Sequence, residues 1–527
     1  MLTLQSYVLY NKTFGDHQID FTGVYEQQQG DASNIRGSRV NYQIIYDQMV
    51  AGPATDQSVS ASEGKEARAA FLGRLSYGYK NRYTVEVSVR RDGDYLFPPK
   101  SQWGTFYAIS GNYVISDEPF MQSLKENNIL DFLKIRGSYG VLGDKKDFAS
   151  GGNISAFQYI PAYSINPTAW VINGNMVQGT SEPSSLPNST YSWQEIGSRN
   201  LALEFATLQN RLNASIDYYY TQRTGFVVGD PRFAQTLGIG LPRINFEEAE
   251  YRTEGYDANI SWSSQVQDFT YKIGVNYTYS NSLWARTPDE TEADLKNPYT
   301  RRSGIPGSFY GSGYQSLGFY TNNSDLLTGA HIAGSGFAAG DLKYNDSNGD
   351  GQINSADFRR IGHSTFPRSN YGITADLGFK GFSLSTVIQG AGNRDRYLGG
   401  VLQGDVDVVS RFPYAFQSDY WRPDNTNPLY PRAVTNGSVN SRNNLQSSDF
   451  YLLQSKYIRL KYIQLGYDLK HSLLKDSPFQ QLKMFVSGTN LITFSNSKKF
   501  FIDPESDVSN YQYPIQRTFA IGLNATF

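Results

Sequence analysis

The chain has 527 residues, a formal net charge of -2, no cysteine, 39 tyrosines and 31 phenylalanines. The near-neutral charge gives no bulk attraction to nucleic acid, and the lack of cysteine excludes a disulfide scaffold or a thiolate metal site. No apolar run reaches about eighteen residues, which excludes a transmembrane helix but not a membrane β-barrel, whose strands alternate lipid-facing and lumen-facing residues.

The N-terminal stretch MLTLQSYVLYNKTFGDHQ does not read as a signal peptide. It has no basic segment at its start, and Gln5, Ser6 and Asn11 interrupt the apolar core that such a peptide needs. A secreted or outer-membrane protein requires a signal peptide. We therefore expect either that the protein stays inside the cell or that its true N-terminus precedes this sequence.

Along most of the chain, apolar and polar residues alternate over segments of about ten residues, a pattern that predicts β-strands. The stretch FLGRLSYGYKNRYTVEVSVRR predicts a hairpin that turns near Asn81. RLNASIDYYY and FTYKIGVNYTYS follow with the same alternation, and YGITADLGFKGFSLSTVIQG predicts a second hairpin that turns at Lys380 and Gly381. We expect about fourteen to sixteen such strands, of the length that spans a membrane in a barrel.

The segments between these strands are of two kinds, tight turns and very long connections. The long connections cover residues 143–192, 289–341 and 394–448. Short turns on one side and long loops on the other are typical of outer-membrane barrels. The pattern thus predicts an all-β fold, a transmembrane antiparallel β-barrel with long extracellular loops. A set of soluble β-sandwich domains is the alternative, because their strands alternate too; aromatic residues near the strand ends favour the barrel.

The chain closes on RTFAIGLNATF, in which Phe519, Ile521, Leu523 and Phe527 fall on one side of a strand. A last strand that ends on an aromatic residue looks like the terminal strand of bacterial outer-membrane barrels. The alternative is an ordinary last strand that happens to end on phenylalanine.

Residues 346–357, DSNGDGQINSAD, match the pattern of a calcium loop. Calcium prefers six to eight oxygen ligands, and alternate residues of a tight loop can converge on one ion. Gly351 takes the sharp-turn position and Asn354 the ninth. The predicted metal ligands are Asp346, Asn348, Asp350, the backbone carbonyl of Gln352, and Asp357 at position twelve, where a longer glutamate is usual.

No amphipathic helix flanks this loop: the residues before it read as extended, and those after it allow one helical turn at most. We expect a lone loop whose calcium stiffens a long extracellular connection, without a catalytic role. The alternative is that aspartate, asparagine and glycine only build turns here, because their side chains hydrogen-bond to nearby backbone groups.

No catalytic constellation appears, and we expect that the chain is not an enzyme. The four histidines are His17, His331, His363 and His471, and none forms a pair at helical spacing. There is no G-x-S-x-G elbow and no phosphate-binding loop. The aromatic residues of 307–320 are candidates for lining a substrate path; a packed extracellular loop is the alternative.

Several longer stretches occur in the order known from one protein family. They include RLSYGYKNRYTVEVSVRRDGDYLF, WGTFYAISGNYVISDEPFM, LKIRGSYGVLGD, the acidic loop with its following strand, DYWRPDNTNPLYPR, SDFYLLQSKYIRLKYIQLGYDL and VSGTNLITF. In these stretches the chain resembles the barrel of SusC/RagA-type TonB-dependent transporters of Bacteroidota.

The resemblance implies a barrel of about 22 strands in the outer membrane, of which residues 1–527 would be the C-terminal part. The family's plug, TonB box and signal peptide have no counterpart in this sequence. The resemblance also implies a SusD-like surface lipoprotein as partner, energy coupling to the TonB-ExbB-ExbD complex through the missing N-terminal region, and import of glycans, oligosaccharides or peptides.

Two alternatives to this function stay open at the level of sequence. They are a passive outer-membrane porin, and a secreted β-sandwich protein that binds glycans or acts as an adhesin. An open sheet edge in lipid leaves backbone groups unpaired at several kcal/mol each. We therefore expect a fragment of a larger barrel; a shorter barrel that closes by itself is the alternative.

Overall fold

The computed structural model describes residues 1–44, 47–147, 151–161, 163–181, 186–229, 239–299, 301–306, 311–403, 415–434, 438, 441–469, 479–506 and 515–526. Strands dominate these residues. In chain order they are β1 Leu2–Phe14, β2 His17–Arg39, β3 Gln57–Tyr79, β4 Tyr83–Asp94, β5 Trp103–Val114, β6 Phe132–Asp144, β7 Ser164–Ile172, β8 Asn175–Ser181, β9 Gln194–Thr207, β10 Leu212–Gly229, β11 Arg243–Val266, β12 Phe269–Arg286, β13 Ile305–Pro306, β14 Gly311–Gly313, β15 Ser316–Phe319, β16 His331–Ile332, β17 Leu342–Tyr344, β18 Gln352–Ile353, β19 Arg359–Ile361, β20 Ser369–Phe379, β21 Phe382–Ala391, β22 Asp395–Tyr397, β23 Leu452–Gln454, β24 Tyr457–Asp468, β25 Gln481–Ser495 and β26 Thr518–Thr526.

Helices are short and lie between strands. The α-helices are α1 Gln122–Glu126, α2 Glu292–Lys296, α3 Asn323–Thr328 and α4 Ser441–Asn444. The 3-10 turns include Ser355–Asp357 and Asn496–Phe500. Among the described residues, no helix has both the length and the hydrophobicity to cross a membrane.

One large sheet contains most of the long strands. Its order is β1-β2-β3-β4-β5-β6-β9-β10-β11-β12-β20-β21-β24-β25-β26, with β13 paired at the side of β12. Successive strands of this sheet therefore lie side by side, and the other short strands of the connections pair with each other in two-stranded sheets. The predicted all-β antiparallel architecture is confirmed. The first strand, β1, pairs with β2 from Leu2 opposite Gln29.

Both predicted hairpin turns are confirmed. β3 and β4 pair from Tyr79 opposite Tyr83, so their turn includes Asn81. β20 and β21 pair from Phe379 opposite Phe382, which places the turn at Lys380 and Gly381. These two turns lie at the same end of the large sheet, where the other connections between its strands are also short except 115–131 and 469–480. The opposite end of the sheet carries the long connections 145–193, 287–368 and 392–456.

The expected strand length of about ten residues is wrong for several strands. β2 and β3 have 23 residues each, and β11 has 24. β2 and β3 pair with each other as far as Arg39 opposite Gln57, beyond the last residue that β1 pairs. Their far halves are rich in serine, glycine and charged residues, so hydrophobic alternation could not reveal them.

One face of the sheet carries exposed apolar side chains, and we call it the apolar face. In one compact unit (1–114, 136–200 and 221–250) it includes Val85, Val87 and Val89 of β4, which are 42–48% exposed. In the other unit (115–135, 201–220 and 251–527) Leu465 pairs with Val486, and Val486 with Ile521, all more than half exposed. Residues on the opposite face are mostly small or polar.

The first unit has a small core where its connections meet. Its buried members are Leu96, Phe97, Ile154, Tyr191 and Val227. The Tyr191 hydroxyl donates a hydrogen bond to the Leu96 carbonyl at 2.8 Å. Burial raises the pKa of Tyr191 to about 12, so this hydroxyl remains a donor even at a pH where an exposed tyrosine would ionise.

The second unit has a larger core, which we call the connection core because its residues come from the long connections rather than from the large sheet. Its buried members are Tyr314, Leu342, Tyr344, Ile353, Leu398, Leu402, Tyr451 and Leu453. The described parts of segments 287–368 and 392–456 thus pack against each other, with Phe500 and Ile502 against the connection core.

A buried carboxylate joins these two connections. Asp341 is fully buried, and Arg432 donates to both of its oxygens, at 3.2 and 3.0 Å. Asn444 donates to the same carboxylate at 2.9 Å, and its own side-chain oxygen accepts the backbone N–H of Leu342. These bonds hold β17 against α4, although the partners lie about one hundred residues apart.

Another carboxylate organises the start of the first connection. Glu290 accepts hydrogen bonds from the Ser303 N–H at 2.9 Å and the Thr287 hydroxyl at 3.0 Å, and also from the Ser303 hydroxyl and the Arg302 N–H. Burial by itself raises the pKa of Glu290, but these hydrogen bonds together outweigh it and lower that pKa. Glu290 therefore stabilises this turn as a carboxylate.

We expect Asp341→Asn to destabilise the connection core by about 2–4 kcal/mol, because it leaves Arg432 and the Ala338 N–H without their charged acceptor. Hydrogen exchange at β17 measures the effect as faster local opening. Asp424→Asn is the matched control, because its pair with Arg422 has an 80% exposed carboxylate that solvent screens. Equal exchange in both variants would contradict the role of Asp341.

We expect the turn 287–303 to loosen in acid. A carboxyl group with a lowered folded pKa stabilises above its unfolded pKa of about 4.3, and this contribution is lost as the pH falls through the folded pKa. Hydrogen exchange of this turn, corrected for the intrinsic pH dependence, should rise below about pH 4. Glu290→Gln should raise it at neutral pH and flatten the profile, whereas Asp289→Asn, at an exposed ion pair with Arg302, should leave the profile unchanged.

Candidate functional site

The acidic loop 346–357 lies between β17 and β19, inside the first long connection of the second unit. Extended backbone precedes it and a single 3-10 turn, Ser355–Asp357, ends it. The expected lone loop without flanking helices is confirmed. Leu342 and Tyr344 before the loop, and Ile353 within it, are buried in the connection core.

Asp346 closes the first half of the loop. One of its carboxylate oxygens accepts the N–H of Gly349 at 2.8 Å, and the other accepts the N–H of Gly351 at 2.7 Å. Gly351 has a φ of +80°, a conformation that glycine adopts without steric cost. The glycine at the predicted sharp-turn position is therefore explained by the backbone.

Asp350 and Asn348 form the exposed tip. One Asp350 oxygen accepts the Gln352 N–H at 2.8 Å, and the other accepts the Asn348 side-chain amide at 3.0 Å. The Gln352 N–H is the largest cause that lowers the pKa of Asp350, followed by the Asn348 amide. Asp350 is thus held as a carboxylate in contact with solvent.

Asp357, the last residue of the loop, is fully buried. It accepts the Ser347 N–H at 2.9 Å on one oxygen and the Asn354 N–H at 2.9 Å on the other. Asn354 in turn caps the 3-10 turn by accepting the Ala356 N–H at 2.9 Å. Asp357 therefore ties the two ends of the loop together.

The structure brings all five predicted ligands into one closed loop, with the carboxylates bonded to the loop's own N–H groups. In the part of the chain that the structure describes, no three His, Asp or Glu side chains are grouped closely enough to hold a metal ion. A cation here would need amide and carbonyl oxygens as well, from Asn348 and Gln352. The calcium site stays a prediction.

Strand pairing anchors the loop at its far side. β18, which contains Gln352, pairs in parallel with β16, so that Gln352 lies opposite His331. The His331 ring stacks on Phe337 with ring centroids 3.6 Å apart, and it contacts the Tyr320 hydroxyl at 3.1 Å. The loop is thereby fixed to a second part of the same connection.

This packing bears on the aromatic residues of 307–320, which were candidates for lining a substrate path. Tyr314 and Tyr320 are buried, as the packed-loop interpretation expects, and the Tyr320 hydroxyl donates to the Ala330 carbonyl at 2.9 Å. Burial, the largest cause, raises the pKa of Tyr320 to about 12. Residues 307–310 lie outside the described part of the chain.

A charged cluster that the sequence analysis missed lies on the polar face of β24. The Arg459 side chain is fully buried and donates to Asp503 at 2.6 and 2.7 Å and to Glu505 at 2.6 Å. The Tyr457 hydroxyl donates to Glu505 at 2.6 Å. These bonds fold the segment after β25 back onto the strands, and an arginine on the polar face of a predicted strand was the only signal for it.

No family model matches the chain. Curated proteins do. The TonB-dependent receptor P3 of Formosa agariphila is 27% identical over 99% of this chain and 52% of its own length. The TonB-dependent receptor SusC of Bacteroides thetaiotaomicron is 24% identical over the whole chain and 50% of its own length.

The fold is also shared with a solved structure. The RagAB peptide transporter matches with a TM-score of 0.70 and 19% identity, over the whole of this chain and 55% of that chain. This likeness favours the transmembrane barrel over β-sandwich domains, and it agrees with the sequence relatives. The chain is therefore similar to SusC/RagA-type TonB-dependent receptors, and it spans about half the length of the curated relatives that it matches.

Proposed function

We propose that this chain is the barrel part of an outer-membrane, TonB-dependent transporter that imports nutrients. The observation that carries the proposal is the apolar face of the sheet. Side chains such as Val87 and Leu465 stand 42% and 54% exposed in ordered rows. Rows of exposed apolar residues on paired strands are unfavourable in water and favourable in lipid.

We propose glycans, oligosaccharides or peptides as the imported substrates. One similar structure is a peptide transporter, and SusC is a TonB-dependent receptor, which supports import of nutrients of this size. None of the relatives named above is described as an enzyme, which agrees with the lack of a catalytic motif.

The same comparison supports two proposed partners. A SusD-like lipoprotein would sit over the long connections, and the packed connection core offers it a preformed surface rather than a set of separate loops. The TonB-ExbB-ExbD complex would supply the energy for import.

We expect the native protein to be found in the outer-membrane fraction and to need detergent for extraction. Deletion of the gene should abolish uptake of an oligosaccharide or peptide on which the parent cells depend, and a protonophore should stop uptake in the parent. Uptake that continues in the presence of the protonophore would indicate a passive porin. A product that is soluble without detergent would contradict both.

For the acidic loop we propose a structural calcium ion. The support is the ligand set of Asp346, Asn348, Asp350, Gln352 and Asp357 in one closed loop, and the place of that loop between two anchored strands. Calcium would bind this connection in its folded form and so stabilise it, as any ligand that binds only the native state does.

We expect calcium to raise the temperature at which the connection becomes sensitive to protease, and terbium luminescence to report the site directly. Asp346→Ala with Asp350→Ala should weaken binding by roughly tenfold or more, because affinity follows the number of charged ligands. Asp424→Ala, at an exposed carboxylate elsewhere in the connections, should leave it unchanged. Equal calcium response in the double variant would show that the loop is only a set of turns.

A further inference from the structure

Four neighbouring strands of the second unit form a row of side chains near the end that carries the long connections. Tyr371 of β20 pairs with Gly390 of β21, Gly390 with Ile458 of β24, and Ile458 with Phe494 of β25. Paired residues point to the same side of a sheet, so the row lies on one face. That face is the apolar one, since Ile458 and Phe494 are exposed.

The row is interrupted at Gly390. A Cβ atom there would overlap the ring of Tyr371, so the glycine lets that ring lie across β21. The Tyr371 hydroxyl reaches β24 and donates to the Tyr457 carbonyl at 3.2 Å. The result is a trough floored by the tyrosine ring, with Ile458 and Phe494 beside it.

Two lysines lie at the end of this trough that is nearest the long connections. Lys456 directly precedes β24, and Lys498 lies in the 3-10 turn that follows β25, with its ammonium 5.6 Å from the centre of the Phe494 ring. Both side chains are exposed. Within the described ranges, neither ammonium lies within 4.0 Å of a carboxylate, unlike Lys461, which pairs with Glu505.

The trough and the lysines belong to one groove. It has a volume of about 480 Å³, and its lining includes Tyr371, Lys456, Ile458, Phe494 and Lys498. This is the size range of small-ligand sites. The part of the groove formed by the trough is apolar, and the edge formed by Lys456 and Lys498 is cationic. The matching ligand is therefore an amphiphile with an anionic head.

We propose that this groove binds a phosphorylated lipid of the outer leaflet, with the phosphate between Lys456 and Lys498 and an acyl chain along the trough. The inference rests on the proposed membrane function, which puts the long connections outside the cell. Lysine binds phosphate as a point charge, and basic residues beside a membrane attract anionic lipid. Free phosphate would use the lysines but not the trough, which is why the geometry points to the lipid.

The test uses the full-length protein extracted from the outer membrane in detergent. Native mass spectrometry measures its binding of monophosphoryl lipid A, of the same lipid without its phosphate, and of inorganic phosphate. We expect the phosphorylated lipid to bind at least about tenfold more tightly than the dephosphorylated form, and the Lys456→Glu, Lys498→Glu double variant to lose that preference. The variant Lys296→Glu, Lys499→Glu makes the same charge change at exposed lysines outside the groove and should bind as the parent does.

The β-sheet signal in the far-ultraviolet circular dichroism spectrum of each variant establishes that the variant is folded. Inorganic phosphate that competes fully with the lipid would show a phosphate site and overturn the lipid assignment. Unchanged lipid binding in the groove variant would overturn the inference while the transporter proposal stands. Absence of the native protein from the outer-membrane fraction would instead overturn the proposed function itself.

Discussion

Backbone hydrogen bonding between antiparallel strands is the constraint on which the rest of this structure depends. Each strand satisfies its N–H and C=O groups on its neighbours, and side chains then alternate between two faces. The rows that join Leu465 to Val486 and Val486 to Ile521 are a direct consequence. The apolar face follows from the same register, and so does the groove, where one glycine leaves the row open.

The long connections lack such a ladder of strand pairs, and side chains accept hydrogen bonds from their backbone N–H groups instead. Asp341, Glu290 and Asp357 are all buried, and each accepts backbone N–H groups of a segment that is not in the large sheet. A buried N–H without an acceptor costs about 1–3 kcal/mol. Three carboxylates therefore fix three turns of one connection.

The sequence predicts the local part of this arrangement well. Period-two alternation located the strands, and the turns at Asn81 and Lys380 fell where expected. It underestimated β2 and β3 because their outer halves carry small and charged residues, which give no alternation of hydrophobicity. Length beyond the apolar band can be recognised only from the pairing itself.

Contacts between distant segments were beyond the reach of pattern analysis. Arg432 and Asp341 are 91 positions apart, and Arg459 and Glu505 are 46 apart. A single aspartate or arginine in a loop looks the same whether it is solvated or buried in a pair. For this reason the sequence identified the acidic loop, which is one continuous stretch, but not Asp341 or Arg459, which acquire their roles only when separate connections pack together.

The acidic loop shows why a motif of this kind has two readings that are physically compatible. A carboxylate has about four lone-pair positions, so an oxygen that accepts one N–H can still face a cation. The hydrogen bonds to Asp346 and Asp350 thus hold these groups in place, and a ligand set that is already ordered loses less entropy when an ion binds. Asp357 differs, since it is fully buried and is one methylene shorter than the glutamate that is usual at its position. If the loop binds calcium as proposed, Asp357 is the ligand that would limit its affinity, and a calcium-induced change should begin at the 3-10 turn that this residue ends.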